Sequence, residues 1–305
     1  MPENVLNNTT NAVFIPTIIA QKALQRFPSY LSLARTVARD SDYVTATMGQ
    51  VIRVPKTGAV VANDKTAGSN FTKQNPTGTD VSVTLNKHKE VTLTIDDVTK
   101  VLENQDTQMK YANDGAIALA EAVETALADL HPSLTNTVTW DRTSAATIDT
   151  SLLNVRKFFT DQKVPKLEQR YMWVDGTLYN DILKQEKYTN ASWRGQNNTV
   201  ADGSVVKTYG LEIAECQLIA VSGSPVAYHN LAYTKDALVI ASRPLPRPAA
   251  GMGVQSSVIN DPSIGLSLRT LFWYNADLGA HQLTLDLLFG VAILDQRRIV
   301  EVEST

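Results

Sequence analysis

The stretch from Gln105 to His131 (QDTQMKYANDGAIALAEAVETALADLH) limits the possible folds of this chain more than any other. Met109, Ala112, Ala116, Leu119, Val123, Ala126 and Leu130 recur at alternating steps of three and four, the spacing of one apolar stripe along an α-helix. Ile117, Ala120 and Leu127 widen the stripe, and Lys110, Asp114, Glu121, Glu124 and Asp129 are expected on the opposite, solvated side. Good helix formers dominate, and Gly115 costs only about 1 kcal/mol relative to Ala. Asn104 or Asp106 can accept the first backbone N–H bonds, and His131-Pro132 marks the stop. At about 1.5 Å per residue a helix over 105–131 is roughly 40 Å long. Its many alanines suit a spine that lies close against a sheet.

The chain before the spine divides in two. Residues 1–47 read as an arm: a polar, turn-rich start, then an amphipathic helix over Ile15 to Phe27 that needs something else to dock on. Residues 48–97 read as an extended loop. Val81, Val83 and Leu85 alternate with polar residues, and Val91, Leu93 and Ile95 continue the same parity past Lys87 and Lys89. One uninterrupted strand there would run about 50 Å at about 3.3 Å per residue. Before it, QVIRVPK has strand character with Val51 and Ile52, followed by a stretch from Lys56 to Asp80 dominated by Gly, Asn, Asp, Thr and Lys. A polar two-stranded ribbon of that length cannot be covered by its own domain, so it is expected to project onto another molecule.

After the spine, Thr150 to Asp161 reads as a second amphipathic helix, Arg170 to Asp175 as a buried strand, and Gly176 to Lys184 as a short helix. Glu186 to Ser204 is polar and reads as a mobile surface loop. Val205 to Val221 returns to strand character, and His229 to Ser242 reads as helical before the proline-rich Arg243 to Pro248. Residues 149–248 thus form an α/β insertion. The tail alternates along Leu266 to Tyr274 and again along Leu283 to Ile293, turns at Asp295 to Arg298 and ends on Ile299, Val300 and Val302. This antiparallel sheet is expected under the spine, so that 98–148 and 249–305 together close one domain. The fold class is α+β.

Composition excludes several kinds of chemistry. The chain has 305 residues, 43% hydrophobic and 19% charged, with a net charge of −3, which argues against a surface built to neutralise many phosphates. The single cysteine, Cys216, allows no disulfide within the chain and reads as a small buried hydrophobe. No signal peptide and no run of about 20 apolar residues is visible, so no membrane is expected. There is no phosphate loop; Gly251-Met252-Gly253 lacks a third glycine and a preceding strand, and reads as a turn. Ser222-Gly223-Ser224-Pro225 is a turn and not a nucleophile elbow. His88, His131, His229 and His281 are scattered without an i, i+4 pair. Asp96-Asp97 point apart on a strand, and one of them is a plausible helix cap. No catalytic residue, cofactor-binding residue or metal ligand is expected, and the chain is not read as an enzyme.

The order of these parts resembles the major capsid (coat) protein of tailed double-stranded-DNA bacteriophages. LSLARTVARDSDY followed by GQVIRVPKTG looks like the arm entering an extended loop. VTLTIDDVTKVLENQDTQMKYANDGAIALAEAVETALADL is similar to the return strand and spine of that family. VPKLEQRYMWVDGTLYNDILK and GSVVKTYGLEIAECQLI look like its axial domain, and LLFGVAILDQRRIVEVE like its final strands. The resemblance implies the family's fold: an N-terminal arm, an extended β-hairpin loop, a peripheral domain with its spine helix over an antiparallel sheet, and an inserted α/β axial domain. It implies a structural subunit whose hexamers and pentamers tile an icosahedral virion around packaged DNA, assembled in the host cytoplasm. Implied partners are copies of itself, a portal, a possible decoration protein and, because the chain begins almost directly at the arm, a separate scaffolding protein. The DNA would be nearby without specific contact. Lys65, Phe71 and Lys73 in the extended loop, with Trp193 and Arg194 in the polar stretch, are the candidate inter-subunit contacts. Some members of the family join a loop lysine to a neighbour's asparagine, but lysines are common in loops and crosslinking is not the expectation here. Two other functions remain open: a cellular compartment shell with the same fold, and a soluble α/β enzyme whose site is built from residues remote in sequence.

Overall fold

The computed structural model describes residues 31–39, 51–58, 60–96, 105–189, 205, 207–249, 251–261 and 265–304. In chain order the first elements are β1 (Ala38–Arg39), β2 (Val51–Lys56), β3 (Thr79–Thr84), β4 (Lys87–Asp96) and the long helix α1 (Gln105–Ala128). Next come β5 (Thr137–Trp140), α2 (Ala145–Asp161), β6 (Arg170–Val174), α3 (Gly176–Leu183) and α4 (Glu186–Thr189). The remainder is strand: β7 (Leu211–Glu215), β8 (Ala220–Ser222), β9 (Ala227–Thr234), β10 (Leu238–Ser242), β11 (Gln255–Asp261), β12 (Leu266–Asn275), β13 (Ala280–Ile293) and β14 (Ile299–Ser304).

The spine forms where its period places it, and it is buried more widely than one stripe. One sheet runs β1-β10-β13-β12-β11, with β4 also pairing β13. The other runs β5-β14-β9-β6-β7, with β8 on β9. A single core cluster joins Ala116, Leu119, Ala120, Val123 and Leu127 of α1 to Leu238, Ile240, Leu285, Leu287 and Phe289 of the first sheet. The same cluster holds Leu231, Tyr233 and Ile299 of the second sheet. The spine therefore lies between two sheets. Gly115 marks its closest approach: a Cβ there would stand 3.2 Å from Val91 and 3.3 Å from Leu285. The far face of the second sheet packs on α2 and α3 through Met172, Val174, Leu211, Ile213, Val300 and Val302.

Wider burial overturns one expectation about the spine. Glu121, Asp114, Asp129 and Lys110 are exposed as expected, but Glu124 is buried. Its carboxylate accepts the backbone N–H groups of Leu33 and Ala34, each at 2.9 Å, and the Ser32 hydroxyl at 3.2 Å. Burial pushes the Glu124 carboxyl above its ordinary range, against the opposing pull of the Ala34 and Leu33 N–H groups. A charge can sit in this core because the turn at 31–39 surrounds it with donors. That turn places Leu31, Leu33, Ala34 and Val37 in the spine's own core, and β1 pairs in parallel with β10. This part of the arm docks on its own chain. The helix expected over Ile15 to Phe27 lies outside the described residues.

Four further expectations change. The alternation from Val81 to Ile95 is two strands, broken at Leu85-Asn86. β3 pairs with β2 in a short ribbon, whereas β4 pairs with β13 beside the spine. Parity runs through the break because both halves bury the same set, one on each side of the first sheet. The segment from His229 to Ser242 is not helical. It is the end of β9, a 3-10 turn over Lys235–Ala237, and β10, with almost every residue buried. Strands covered on both faces lose the two-residue alternation and read as a continuous apolar run. Finally, β10 belongs to the first sheet and β14 to the second. The boundary expected near Pro248 therefore falls earlier in the sheet pairing, and the last strand returns to the inserted unit. The second helix also begins earlier than its apolar residues show, at a capping box of Ser144 and Thr147.

Candidate assembly surfaces

The ribbon is anchored at its base. Pairing of β2 with β3 puts Ile52, Val54 and Val83 on one face, and with Leu85 they pack on Val239 and Ala241 of β10. This is the face of the first sheet away from the spine. The chain passes over β13 so closely that a Cβ on Gly290 would stand 2.2 Å from the Thr84 carbonyl oxygen. A glycine inside a strand is the expected mark of such a crossing. On the same face Asp286 is held by Arg269, with Nε to Oδ1 at 3.0 Å, and by His88 at 3.2 Å.

A second anchor is ionic. Lys56 on β2 reaches Asp295 at 3.2 Å in the turn after β13, where Arg297 also holds the carboxylate at 2.8 Å. Burial would raise the Asp295 carboxyl, but hydrogen bonds from Arg297 and Lys56 outweigh it and hold the group at about 2. The folded value lies below the free value of 3.8, so this carboxylate adds stability that is present above that value and lost as pH falls toward 2. Asp295→Asn is expected to lower the melting temperature at pH 7 and to lose less than wild type between pH 4 and pH 2. Circular dichroism melts across that range check this; parallel losses in both proteins would contradict it.

Beyond the ribbon, residues 60–78 carry no strand and are exposed. The two limbs are tied by Gln74, whose Oε1 accepts the Val61 N–H at 2.9 Å and whose Nε2 donates to the Val61 carbonyl. At the tip, Gly68 has φ +84°, a left-handed turn that suits glycine. Lys65 folds back there, donating to Thr66 O at 2.8 Å and to Ser69 O, with its ammonium 5.2 Å from the Phe71 ring centroid. Phe71 is 82% exposed, Val60 69% and Val61 68%. Three large apolar side chains thus stand in the open on one narrow loop. Lys65 and Phe71 thus lie together at the tip, and Lys73 lies on the exposed return limb. Trp193 and Arg194 lie outside the described residues. Leu167, fully exposed between α2 and β6, and Met252 beside the Gly251 and Gly253 turn add apolar surface that single-residue reading does not single out.

One constellation was invisible in the sequence. His131, just past the spine, and His229 and Glu301, on neighbouring strands of the second sheet, come together although the histidines read as scattered. The two rings stack with centroids 3.8 Å apart. His229 Nδ1 lies 2.5 Å and His131 Nδ1 3.5 Å from the same Glu301 oxygen. Burial and the neighbouring His229 push the His131 imidazole below its ordinary value. No spacing rule links positions in a helix end and two strands before their pairing is known. Cys216 is buried, as its context predicts, and burial raises its thiol.

No protein-family model matches the sequence, and no curated protein is similar to it in a sequence search. Similarity appears in three dimensions. The capsid structure of the cyanophage P-SCSP1u covers 89% of this chain and 86% of its own, with a TM-score of 0.61 and 14% identity. The asymmetric unit of the mature capsid of bacteriophage PhiM1 gives 90% and 87%, a TM-score of 0.60 and 14% identity. The virus-like particle from Pyrococcus furiosus gives 93% and 97%, a TM-score of 0.52 and 11% identity. Spine, ribbon, inserted sheet and closing strands together are the fold of phage capsid subunits, and this chain has that fold.

Proposed function

We propose that this chain is the structural subunit of an icosahedral phage capsid, assembling as hexamers and pentamers around packaged double-stranded DNA. The observation that carries the reading is the loop at 60–78, raised on a ribbon that is firmly anchored to its own chain yet offering Phe71, Val60 and Val61 to solvent. A solitary subunit gains nothing from such a surface; in a shell it lies over a neighbour. Residues 48–85 act as the extended loop, the spine with the first sheet as the peripheral part, and the unit around β6, β7 and β9 as the axial part. The subunit is structural and not enzymatic on this reading. A separate scaffolding protein, a portal and a possible decoration protein are the further partners, the capsid of the virion is its destination, and the host cytoplasm is where it assembles.

A second reading, a cellular shell around a protein cargo, is compatible with the similarity to the Pyrococcus furiosus virus-like particle but is not favoured by it. A native mass measurement on the purified protein, followed by analysis of what copurifies, tests both. Particles of uniform, multi-megadalton mass are expected, with nucleic acid as the content of filled ones. A protein cargo would favour the second reading, and a monomer or small oligomer under all assembly conditions would overturn both.

A further inference from the structure

The cluster at the end of the spine has the makings of a metal site. His229 and Glu301 lie diagonally across the β9–β14 pair, since Glu301 is opposite Leu231 and His229 opposite Glu303. Both side chains point to the spine side of the sheet, where His131 follows α1. The three possible ligand atoms all lie within 4.8 Å of one another. Each ligand beneath the strands has an outer partner: the Ser222 hydroxyl is 2.5 Å from His229 Nε2, and Thr137 Oγ1 donates to Glu301 Oε2 at 3.2 Å. Such second contacts fix a ligating imidazole's tautomer and orient a ligating carboxylate. Without metal, His229 Nδ1–H donates to Glu301 and Nε2 accepts from the Ser222 hydroxyl; metal binding at Nδ1 displaces that proton, and Ser222 can then accept from Nε2–H.

We propose that His131, His229 and Glu301 bind a first-row divalent metal ion, with zinc as the best-suited ion. Two imidazole nitrogens and one carboxylate oxygen are a donor set that zinc accepts, with water in the fourth position. Bonds of about 2.0–2.1 Å in a tetrahedron place ligand atoms about 3.3 Å apart. The His131–Glu301 separation of 3.5 Å already suits this, and the His229–Glu301 pair must open from 2.5 Å by under about 1 Å. The stacked rings must also tilt for their lone pairs to converge. His131 can do so, since it lies past the helix end and is the more exposed of the two rings. Bound metal would tie the end of the spine to β9 and β14, linking three segments remote in sequence. Magnesium, which prefers oxygen ligands, does not fit this set. The site is independent of the shell reading.

The test uses the full-length protein stripped with a chelator and then titrated with zinc chloride, with magnesium chloride as control. Zinc is expected to bind at one equivalent per chain and to raise the melting temperature by roughly 5 °C at a hundredfold excess over its Kd. Cobalt(II) is expected to give the intense visible bands of a four-coordinate site. His131→Asn, which leaves the buried His229–Glu301 pair in place, should keep the wild-type circular dichroism spectrum and lose both responses. Glu301→Gln should lose them as well, and His88→Asn, outside the cluster, should keep them. Failure of wild type to bind zinc at micromolar concentration would overturn the proposal. Undiminished binding in His131→Asn would do the same.

Discussion

Val123→Asp is expected to abolish soluble expression. Val123 is fully buried where the spine passes between the two sheets, among Leu119, Leu127 and the inward residues of both. A carboxylate placed there has no donor and costs several kcal/mol, a large share of the 5–15 kcal/mol that holds a typical domain together. The neighbouring Glu124 is the built-in control. It is equally buried, and it is tolerated because Leu33, Ala34 and Ser32 donate to it. Val123→Ala should remain soluble and lose about 1–3 kcal/mol, the cost of a small cavity. Soluble fractions and thermal melts of the two variants check the pair. A soluble Val123→Asp with near-wild-type melting would mean that the second sheet does not cover the spine.

Gly290→Val is expected to detach the ribbon without unfolding the core. The position alternates with Phe289 and Val291, which face the spine, so its side chain points to the ribbon side of β13. A Cβ there would overlap the Thr84 carbonyl, and it would stand 3.3 Å from the Leu85 Cα, so backbone and not a flexible tip must give way. Overpacking of this kind costs about 1–3 kcal/mol, and lifting the ribbon also exposes Ile52, Val54 and Val83 to water. The expected result is a melting temperature several degrees lower, faster tryptic cleavage at Arg53 and Lys56, and loss of assembly. Wild-type cleavage at those two residues would show that the ribbon does not rest on β13.

Legibility in the sequence followed from how each element is covered. The spine was readable because one face stays open, and the β12–β13 hairpin because its second face, although covered on β13, carries polar residues such as Thr284 and Asp286, so a period of 3.6 or of 2 survives in the residues. β9 and β10 were misread as helix because nearly every position in them is buried and the alternation vanishes. The break at Leu85-Asn86 was hidden by unbroken parity, although the lapse at Lys87 and Lys89 stood beside it. Glu124 could not be placed from the helix alone, since the groups that neutralise its burial come from a turn about ninety residues earlier. Gly290 was available as a signal, a lone glycine within an alternating strand, and it marks the ribbon's footing. For the proposed assembly surface, composition pointed to the loop and Phe71, whereas the Gln74 tie and the Lys65–Phe71 contact depend on how the limbs meet.

The extended loop gives the most direct test of a shell built from these subunits. Lys65 and Lys73 are exposed on it, and Phe71 between them is the anchor expected to bury against a neighbour. Residues this polar bury little apolar area within their own chain, so the loop of a free subunit stays open to a protease despite the Gln74 tie. Limited trypsin digestion, timed on free subunits and on assembled particles, reads this at both lysines. Rapid cleavage at one or both in the subunit and strong protection in the particle are expected, with Phe71→Ala weakening assembly while leaving the subunit's melting temperature nearly unchanged. Equal cleavage rates in the two states would contradict the claim that this loop joins one subunit to the next.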